Sequence, residues 1–226
     1  MDRISEAENR FSIKQRFKST GIAGLISDLF NPLFLPLLVL IVLAIQLQLP
    51  YLSVGWITGV SLIFYTVIPL CTSFYLLKTN TISSLDLPER ESRSRLFLIS
   101  LASSAIAFLL FFYSKQHTHT IIPLVALTFL INAAIAFVVN LYWKISIHSA
   151  SLSSTAAIFF FISQYQILSS FYAALILSLF ILLLLLPIMI WARYHLKIHT
   201  WTELLGGAVT GFLLTIIDLT ILTTIW

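Results

Sequence analysis

Long hydrophobic runs separated by short polar stretches dominate the sequence. Seven runs can be placed, and polar or turn-forming residues separate them. A helix needs about 20 residues to cross a bilayer. Most runs reach that length, whereas the first and fifth are short, and one of these two could be tilted or re-entrant. The pattern predicts helices over residues 33–49, 54–77, 96–114, 121–142, 148–165, 169–191 and 204–225.

The amino-acid composition indicates the class of protein. Of the 226 residues, 59% are hydrophobic and 10% are charged, and the mean hydropathy is +0.98. That is too apolar for a soluble domain. We therefore expect an all-α polytopic membrane protein with one transmembrane domain over residues 31–226. Residues 1–30 are basic, and Phe17–Phe30 could form a short interfacial helix that ends at Asn31-Pro32. Nothing in the sequence suggests binding to nucleic acid.

Three polar stretches fall on one side of the membrane. Residues 78–95, 143–148 and 192–203 follow the second, fourth and sixth runs, so they share the side of the N-terminus. Twelve Lys and Arg residues lie on this side, and only Lys115 lies on the other. The positive-inside rule predicts that the N-terminus and the three stretches are cytoplasmic. We expect an integral protein of a bacterial inner membrane with its active site on the cytoplasmic side.

The third stretch has residues suited to phosphate chemistry. It contains Arg193, His195, His199 and Glu203 between two hydrophobic runs. Ionisable residues beside a membrane core are costly and usually functional. Arg binds phosphate oxygens, His can attack phosphorus, and a carboxylate can orient the His. If the segment is helical, the two histidines and Glu203 are four residues apart and share a face.

The other two stretches offer partners for these residues on the same side of the membrane. The first is rich in arginine, and the second ends at a histidine that begins the fifth run. The amide groups at the start of that run could add an anion site. The candidates in these two stretches are Arg90, Arg93, Lys144, Ser146 and His148.

In these motifs the chain resembles the type 2 phosphatidic-acid phosphatase family, which shares its fold with vanadium-dependent haloperoxidases. Ala192-Arg193, five residues, His199, three residues and Glu203 resembles the family's Ser-Arg-x5-His-x3-Asp. Ile145-Ser146-Ile147-His148 resembles Pro-Ser-Gly-His. The first family motif, Lys-x6-Arg-Pro, is replaced by Arg-Glu-Ser-Arg at 90–93, without the Lys. The resemblance covers about residues 78–226 and implies a six-helix phosphatase core within about seven spans.

The resemblance also implies roles. His199 would attack phosphorus and form a phosphohistidine, with Glu203 hydrogen-bonded to the other ring nitrogen. His148 would protonate the leaving group. The reaction would be metal-independent, without a cofactor, and would hydrolyse a lipid phosphate or an isoprenoid diphosphate. The phosphate-binding side chains would be Arg90, Arg93, Arg193, Lys144 and Ser146.

Other interpretations stay open. The missing first-motif Lys and second-motif Gly favour a non-catalytic lipid-binding or transport protein with a degraded site. A metal site could use His195, His199, Glu203 and His148, although five histidines and no His-Glu-x-x-His are thin support for it.

Two features of the last run have a structural interpretation. The spacing of Gly207 and Gly211 would let helices approach closely, within the monomer or in a homodimer. Asp218 lies deep in the same run and could pair with Asn132 or Asn140, or remain protonated.

Overall fold

The computed structural model describes residues 21–79, 90–114, 118–164 and 171–226, and these are helical with short turns and no strand. The side chains of residues 90–93 and 171 lie outside that description. Within the described ranges, five helices are long and apolar enough to cross a membrane. The protein is therefore an all-α integral membrane protein, as predicted. The five helices are Tyr51–Lys78, Ser94–Tyr113, Ile121–Tyr142, Tyr172–His195 and Trp201–Ile225.

Every predicted run coincides with a helix. In chain order the helices are α1 (residues 21–29), α2 (Leu35–Gln46), α3 (Tyr51–Lys78), α4 (Arg90–Tyr113), α5 (Ile121–Tyr142), α6 (Ile147–Gln164), α7 (Phe171–Phe180, continuing to Leu186–His195) and α8 (Trp201–Ile225). The two runs that looked short form short helices. Helix α2 has 12 residues, a length of about 18 Å, which is less than the roughly 30 Å of a hydrocarbon core.

Two proline-linked irregularities shape the long helices. A π-helical turn covers Leu62–Val67 in α3, just before Pro69, and a second covers Ile181–Leu185 in α7, just before Pro187. Proline lacks an N–H and its ring clashes with the carbonyl four residues earlier. A wider turn relieves that clash and keeps the helix continuous.

Helix α1 lies within the predicted Phe17–Phe30 helix; residues 1–20 are outside the described ranges. Ala23 and Ser27, four residues apart, are buried against the bundle, whereas Ile22 and Leu25 face outward. The helix gives way to a turn in which Asn31 Oδ1 accepts a hydrogen bond from the backbone N–H of Leu33 at 3.0 Å. The buried face of α1 thus belongs to the bundle.

Helices α6 and α8 form the most extensive contact in the bundle. A Cβ added to Gly207 would collide with the carbonyl of Ser146, and one added to Gly211 with that of Ala150. The backbone N–H of Ser146 also donates to the carbonyl of Glu203 at 3.0 Å. The two glycines therefore act within the monomer, bringing the start of α8 against the start of α6.

A hydrogen-bonded cluster links α5, α6 and α8 inside the helix bundle. Asn132 Nδ2 donates to Thr215 Oγ1 at 2.8 Å and to Ser154 Oγ at 3.3 Å. Asn140 Nδ2 donates to the carbonyl of Ala136. Neither asparagine is paired with Asp218, so that predicted pairing is wrong: the Nδ2 group of Asn132 donates to hydroxyl groups on two other helices instead.

Candidate active site

The connection between α7 and α8 is a tight turn. Helix α7 ends at His195, and Lys197 adopts a left-handed conformation with φ of 55°. The N–H of Ile198 donates to the carbonyl of Arg193 at 3.3 Å and that of Lys197 to the carbonyl of Tyr194 at 2.9 Å. These two bonds define a Schellman motif, with lysine where glycine is usual.

This turn shows that His195 does not share one helical face with His199 and Glu203, contrary to the prediction for a continuous helix. Because the helix stops at His195, that residue is separated from His199 and Glu203. His195 is exposed and stacks on Trp191, with ring centroids 5.3 Å apart. The three residues therefore cannot ligate one metal ion as consecutive positions of a helix. Among the described residues, no group of three His, Cys, Asp or Glu side chains could hold a metal ion.

His199 and Glu203 lie at the start of α8 and contact each other. Nδ1 of His199 is 2.9 Å from Oε2 of Glu203. The same carboxylate oxygen accepts the N–H of Thr200 at 3.1 Å, while the Thr200 hydroxyl accepts the N–H of Glu203 at 3.4 Å, which makes a capping box. Glu203 therefore anchors the helix and holds the tautomer of His199 with the proton on Nδ1. The other nitrogen, Nε2, then carries the lone pair.

The surroundings of His199 favour the neutral imidazole. Its side chain is only 7% exposed. Burial lowers the pKa of His199 to about 4, the charges of Arg193 and Lys144 act in the same direction, and the hydrogen bond to Glu203 opposes them. At neutral pH the ring is thus an uncharged base or nucleophile, as attack on phosphorus requires.

The stretch before α6 is fixed by hydrogen bonds. Ser146 Oγ accepts the N–H of Ser149 at 3.4 Å and lies 3.1 Å from its hydroxyl, so Ser146 caps α6 and is fully buried. Lys144 Nζ donates to the carbonyl of Ile198 at 3.1 Å, beside His199. The structure therefore places Lys144 at the site and Ser146 behind it, in a structural position.

Helix α1 reaches the site through Ser27. Arg193 is 5% exposed, and its Nη1 donates to Ser27 Oγ at 2.9 Å. The backbone of the same serine is within hydrogen-bonding reach of the ring of His148, which is close enough to Arg193 and His199 to interact with their charges. One residue of the N-terminal helix thus contacts two of the predicted site residues.

A cavity of about 360 Å³ joins these groups to the interior of the helix bundle. Lys144, His148, Arg193 and His199 line its polar part. The remainder runs between α2, α3, α4, α5, α6 and α8 and is mainly apolar. The apolar lining includes Phe64, Leu70, Leu96, Phe97, Phe129 and Leu214. A polar end joined to an apolar slot can accommodate a headgroup together with the start of its hydrocarbon tail.

The predicted site residues thus separate into groups. His148, His199, Arg193 and Lys144 share the cavity, and Glu203 lies behind His199. Arg90 is the first residue of α4 and Arg93 lies one turn later, but their side chains lie outside the described residues, so both roles stay predictions.

Two contacting residues were missed from the sequence. Thr200 carries a readable signal, because Thr-x-x-Glu before a hydrophobic run marks a capping box. Ser27 carries none: it is an ordinary serine 166 residues before Arg193, and only the fold brings the two together.

No family model, curated protein or solved structure matches the chain. The likeness to the phosphatase family therefore rests on the motifs and on the arrangement of their residues.

Proposed function

We propose that this protein is a membrane phosphatase that hydrolyses a lipid phosphate or isoprenoid diphosphate through a phosphohistidine on His199. The observation that carries the proposal is the cavity, since it combines two histidines and two cations with an apolar slot. A soluble phosphate ester would have no use for that slot, whereas a lipid phosphate would fill both parts.

In this proposal Nε2 of His199 attacks phosphorus, and the bond from phosphorus to the leaving oxygen breaks. His148 is buried beside the cation Arg193, which favours its neutral form; in the proposal it takes up a proton when the anionic phosphate binds and then donates that proton to the leaving oxygen. Water then gives a proton to the now neutral His148 and attacks the phosphohistidine; the bond from phosphorus to Nε2 breaks, which releases inorganic phosphate and restores the His199 imidazole. Arg193 and Lys144, with Arg90 and Arg93 from α4, would stabilise the phosphoryl oxygens during both transfers.

The finer architecture belongs to the same proposal. Helices α3 to α8 would form the six-helix phosphatase core, and α2 would be a seventh, shorter span. The N-terminus and the active site would face the cytoplasm of a bacterial inner membrane, as the positive-inside rule predicts. A reporter fused at Met1 should be cytoplasmic, and external labelling of a cysteine placed at residue 90 would contradict this orientation.

The test is a phosphate-release screen with purified full-length protein in detergent. The substrates are a diacylglycerol phosphate, an isoprenyl monophosphate and an isoprenyl diphosphate, each with and without EDTA. We expect at least one to be hydrolysed in EDTA. His199→Asn should abolish release and His195→Asn, a matched change of an exposed histidine, should preserve it. Equal release by both variants would refute the mechanism.

A second candidate is a non-catalytic lipid-binding or transport protein. The specific observation in its favour is that both cations at the cavity already have internal partners: Arg193 with Ser27 and Lys144 with the carbonyl of Ile198. Tight binding of lipid phosphates without phosphate release from any of them would favour this candidate over the enzyme.

A further inference from the structure

Helix α1 brings two oxygen atoms of Ser27 to the candidate site. Arg193 Nη1 donates to Ser27 Oγ at 2.9 Å. Burial lowers the pKa of His148, and the charges of Arg193 and His199 add to this effect, whereas the backbone of Ser27 opposes it. The carbonyl of Ser27 has that opposing effect because it accepts a hydrogen bond from the ring. One residue therefore contacts two groups that line the polar end of the cavity.

The two oxygens of Ser27 make contacts that a phosphate ester would otherwise make. In the proposed reaction Arg193 binds a phosphoryl oxygen and His148 contacts the leaving oxygen. Rotation of the Ser27 side chain would release Arg193 but not His148, because the second contact belongs to the backbone. The release of both groups therefore requires that α1 itself moves away from the site.

The face of α1 that packs on the bundle consists of small residues. Ala23 and Gly24 are buried there together with Ser27. The large apolar residues of α1 point outward instead, with exposed fractions of 71%, 58% and 68% for Ile22, Leu25 and Leu29. Because the free energy of burial grows with the apolar area removed from water, small side chains lose little when they leave the bundle. The contacts of this face are therefore weak enough to be exchanged for others.

The C-terminal end of α1 is anchored. Asn31 Oδ1 accepts the N–H of Leu33 at 3.0 Å, and the Thr66 hydroxyl of α3 donates to the carbonyl of Leu33 at 2.8 Å. Ile26 and Phe30, towards the same end, pack against the core and are partly buried. The turn after α1 is therefore a fixed point about which the helix can swing, and such a swing moves Ser27 away from the site.

The outer face of α1 suits an anionic membrane surface. A helix with an apolar face lies in the interfacial region of a bilayer, and basic segments beside it are attracted to anionic headgroups. Residues 10–20, which precede α1 in the sequence, contain no acidic residue and four basic ones, Arg10, Lys14, Arg16 and Lys18. Asp28 is the one acidic residue of α1, so residues 10–29 remain basic. Charge and hydrophobicity thus favour the same partner.

We propose that α1 is an autoinhibitory lid: Ser27 closes it over Arg193 and His148, and binding of its outer face to an anionic membrane surface opens it. A ligand that needs the open state binds with an affinity reduced in proportion to the open fraction. The membrane surface would thereby control access to the site. This inference rests on the proposed function, since it adds regulation to the same site.

The test measures the movement of α1 without turnover. Full-length protein is placed in nanodiscs of phosphatidylcholine, with or without phosphatidylglycerol, an anionic lipid that is not a phosphomonoester. The exposed Cys71 is replaced by Ser, and nitroxide labels are attached to Ile22→Cys in α1 and Leu205→Cys in α8, two exposed positions. Double electron–electron resonance gives the distance between the labels. We expect one distance in phosphatidylcholine and, with phosphatidylglycerol, a second, longer distance in at least about half of the molecules, because interfacial binding then outweighs the contacts of Ser27.

Variants of the labelled protein assign the movement to the two faces of α1. Leu25→Ser and Leu29→Ser should each reduce the population at the longer distance several-fold, whereas Leu52→Ser, at an exposed leucine of α3, should leave it unchanged. Ser27→Ala should show the longer distance already in phosphatidylcholine. One unchanged distance in both lipids would overturn the inference, and so would a lipid response that survives both Leu25→Ser and Leu29→Ser.

The outcome is separate from that of the proposed reaction. Movement of α1 in a protein that releases no phosphate would support the lid and refute the phosphatase. Phosphate release with α1 in the same position in both lipids would support the phosphatase and overturn the lid. If both proposals hold, kcat/KM for a lipid phosphate should rise about fivefold with phosphatidylglycerol, because the hydrogen bond of Ser27 then no longer competes with the substrate.

Discussion

The Nδ1 atom of His199 lies 2.9 Å from Oε2 of Glu203, and that same oxygen accepts the backbone N–H of Thr200. One carboxylate therefore orients the candidate nucleophile and caps the helix on which it sits. This explains the glutamate at a position where the resembled family has aspartate, because glutamate at the third position of a helix is the usual partner in a capping box.

The first prediction separates the two roles of Glu203. Glu203→Gln keeps the size of the side chain and removes the charge that fixes the imidazole tautomer, so kcat should fall at least about 100-fold. Thr200→Ala removes the cap, costs about 1 kcal/mol of stability and should change kcat less than about threefold. Steady-state kinetics and thermal unfolding of both variants provide the comparison. Near-normal turnover by Glu203→Gln would show that the carboxylate serves only as a cap.

The second prediction concerns pH. Because the pKa of His199 is lowered to about 4, the neutral ring should persist well below the ordinary histidine value of about 6.5. The acidic fall in turnover that belongs to His199 should therefore lie near pH 4. The folded state binds this proton less readily than the unfolded chain, so the same group should lower stability as pH falls from about 6.5 towards 4.

Rate profiles and thermal unfolding from pH 3.5 to 8 would check both effects. Glu203→Gln serves as the control, since removing the contact that raises the pKa should move the acidic limb to still lower pH. A His199 limb near 6.5 would contradict the buried, neutral ring.

The third prediction concerns Ser27. Its hydroxyl accepts a hydrogen bond from Nη1 of Arg193, and a substrate phosphate would compete for that donor. Ser27→Ala should therefore lower KM about fivefold with little change in kcat, given the modest net strength of one charge-assisted hydrogen bond. Asp28→Ala, at an exposed position of the same helix, is the matched control. A higher KM for Ser27→Ala would instead mean that the serine positions the guanidinium.

The fourth prediction concerns the contact between α6 and α8. A Cβ at Gly211 would meet the backbone of Ala150, which cannot move without shifting the helix. Gly211→Ala should therefore destabilise the protein by roughly 1–3 kcal/mol and reduce turnover, because α8 carries Glu203. At Gly59 in α3 an added Cβ would meet nothing, so Gly59→Ala should be neutral or slightly stabilising. Equal thermal stability of both variants would contradict the packing.

Much of the fold was predictable because hydrophobicity alone identifies helices that are long and apolar enough to cross a membrane. The seven predicted runs became helices. Parity predicted that three stretches face one side, and the structure joins two of them, because the N–H of Ser146 donates to the carbonyl of Glu203 and Lys144 to that of Ile198. The π-helical turns were not predicted, since proline signals a break without saying how the chain absorbs it. The turn at Lys197 was also missed: glycine usually marks a left-handed residue, and here a lysine occupies it.

The residues of the candidate site were likewise predictable only in part. His148, His199 and Arg193 could be found because their residue types and spacing are unusual between hydrophobic runs. Ser146, which was predicted to bind phosphate, caps α6 and is fully buried, and its role in phosphate binding stays a prediction. Ser27 lacked any signal, since the role of a lone serine hydroxyl depends on the side chains that the fold places beside it.

The most direct measurement is to trap the phosphoryl group on His199. Purified protein is mixed in EDTA with a lipid phosphate labelled on phosphorus, quenched in alkali, which preserves phosphohistidine, and mapped by mass spectrometry. We predict that the label is found on His199 and that more labelled protein accumulates in a variant that hydrolyses the intermediate slowly. His199→Asn should carry no label, whereas His195→Asn should be labelled normally. Phosphate release by a protein that carries no label on His199 under these conditions would contradict the mechanism.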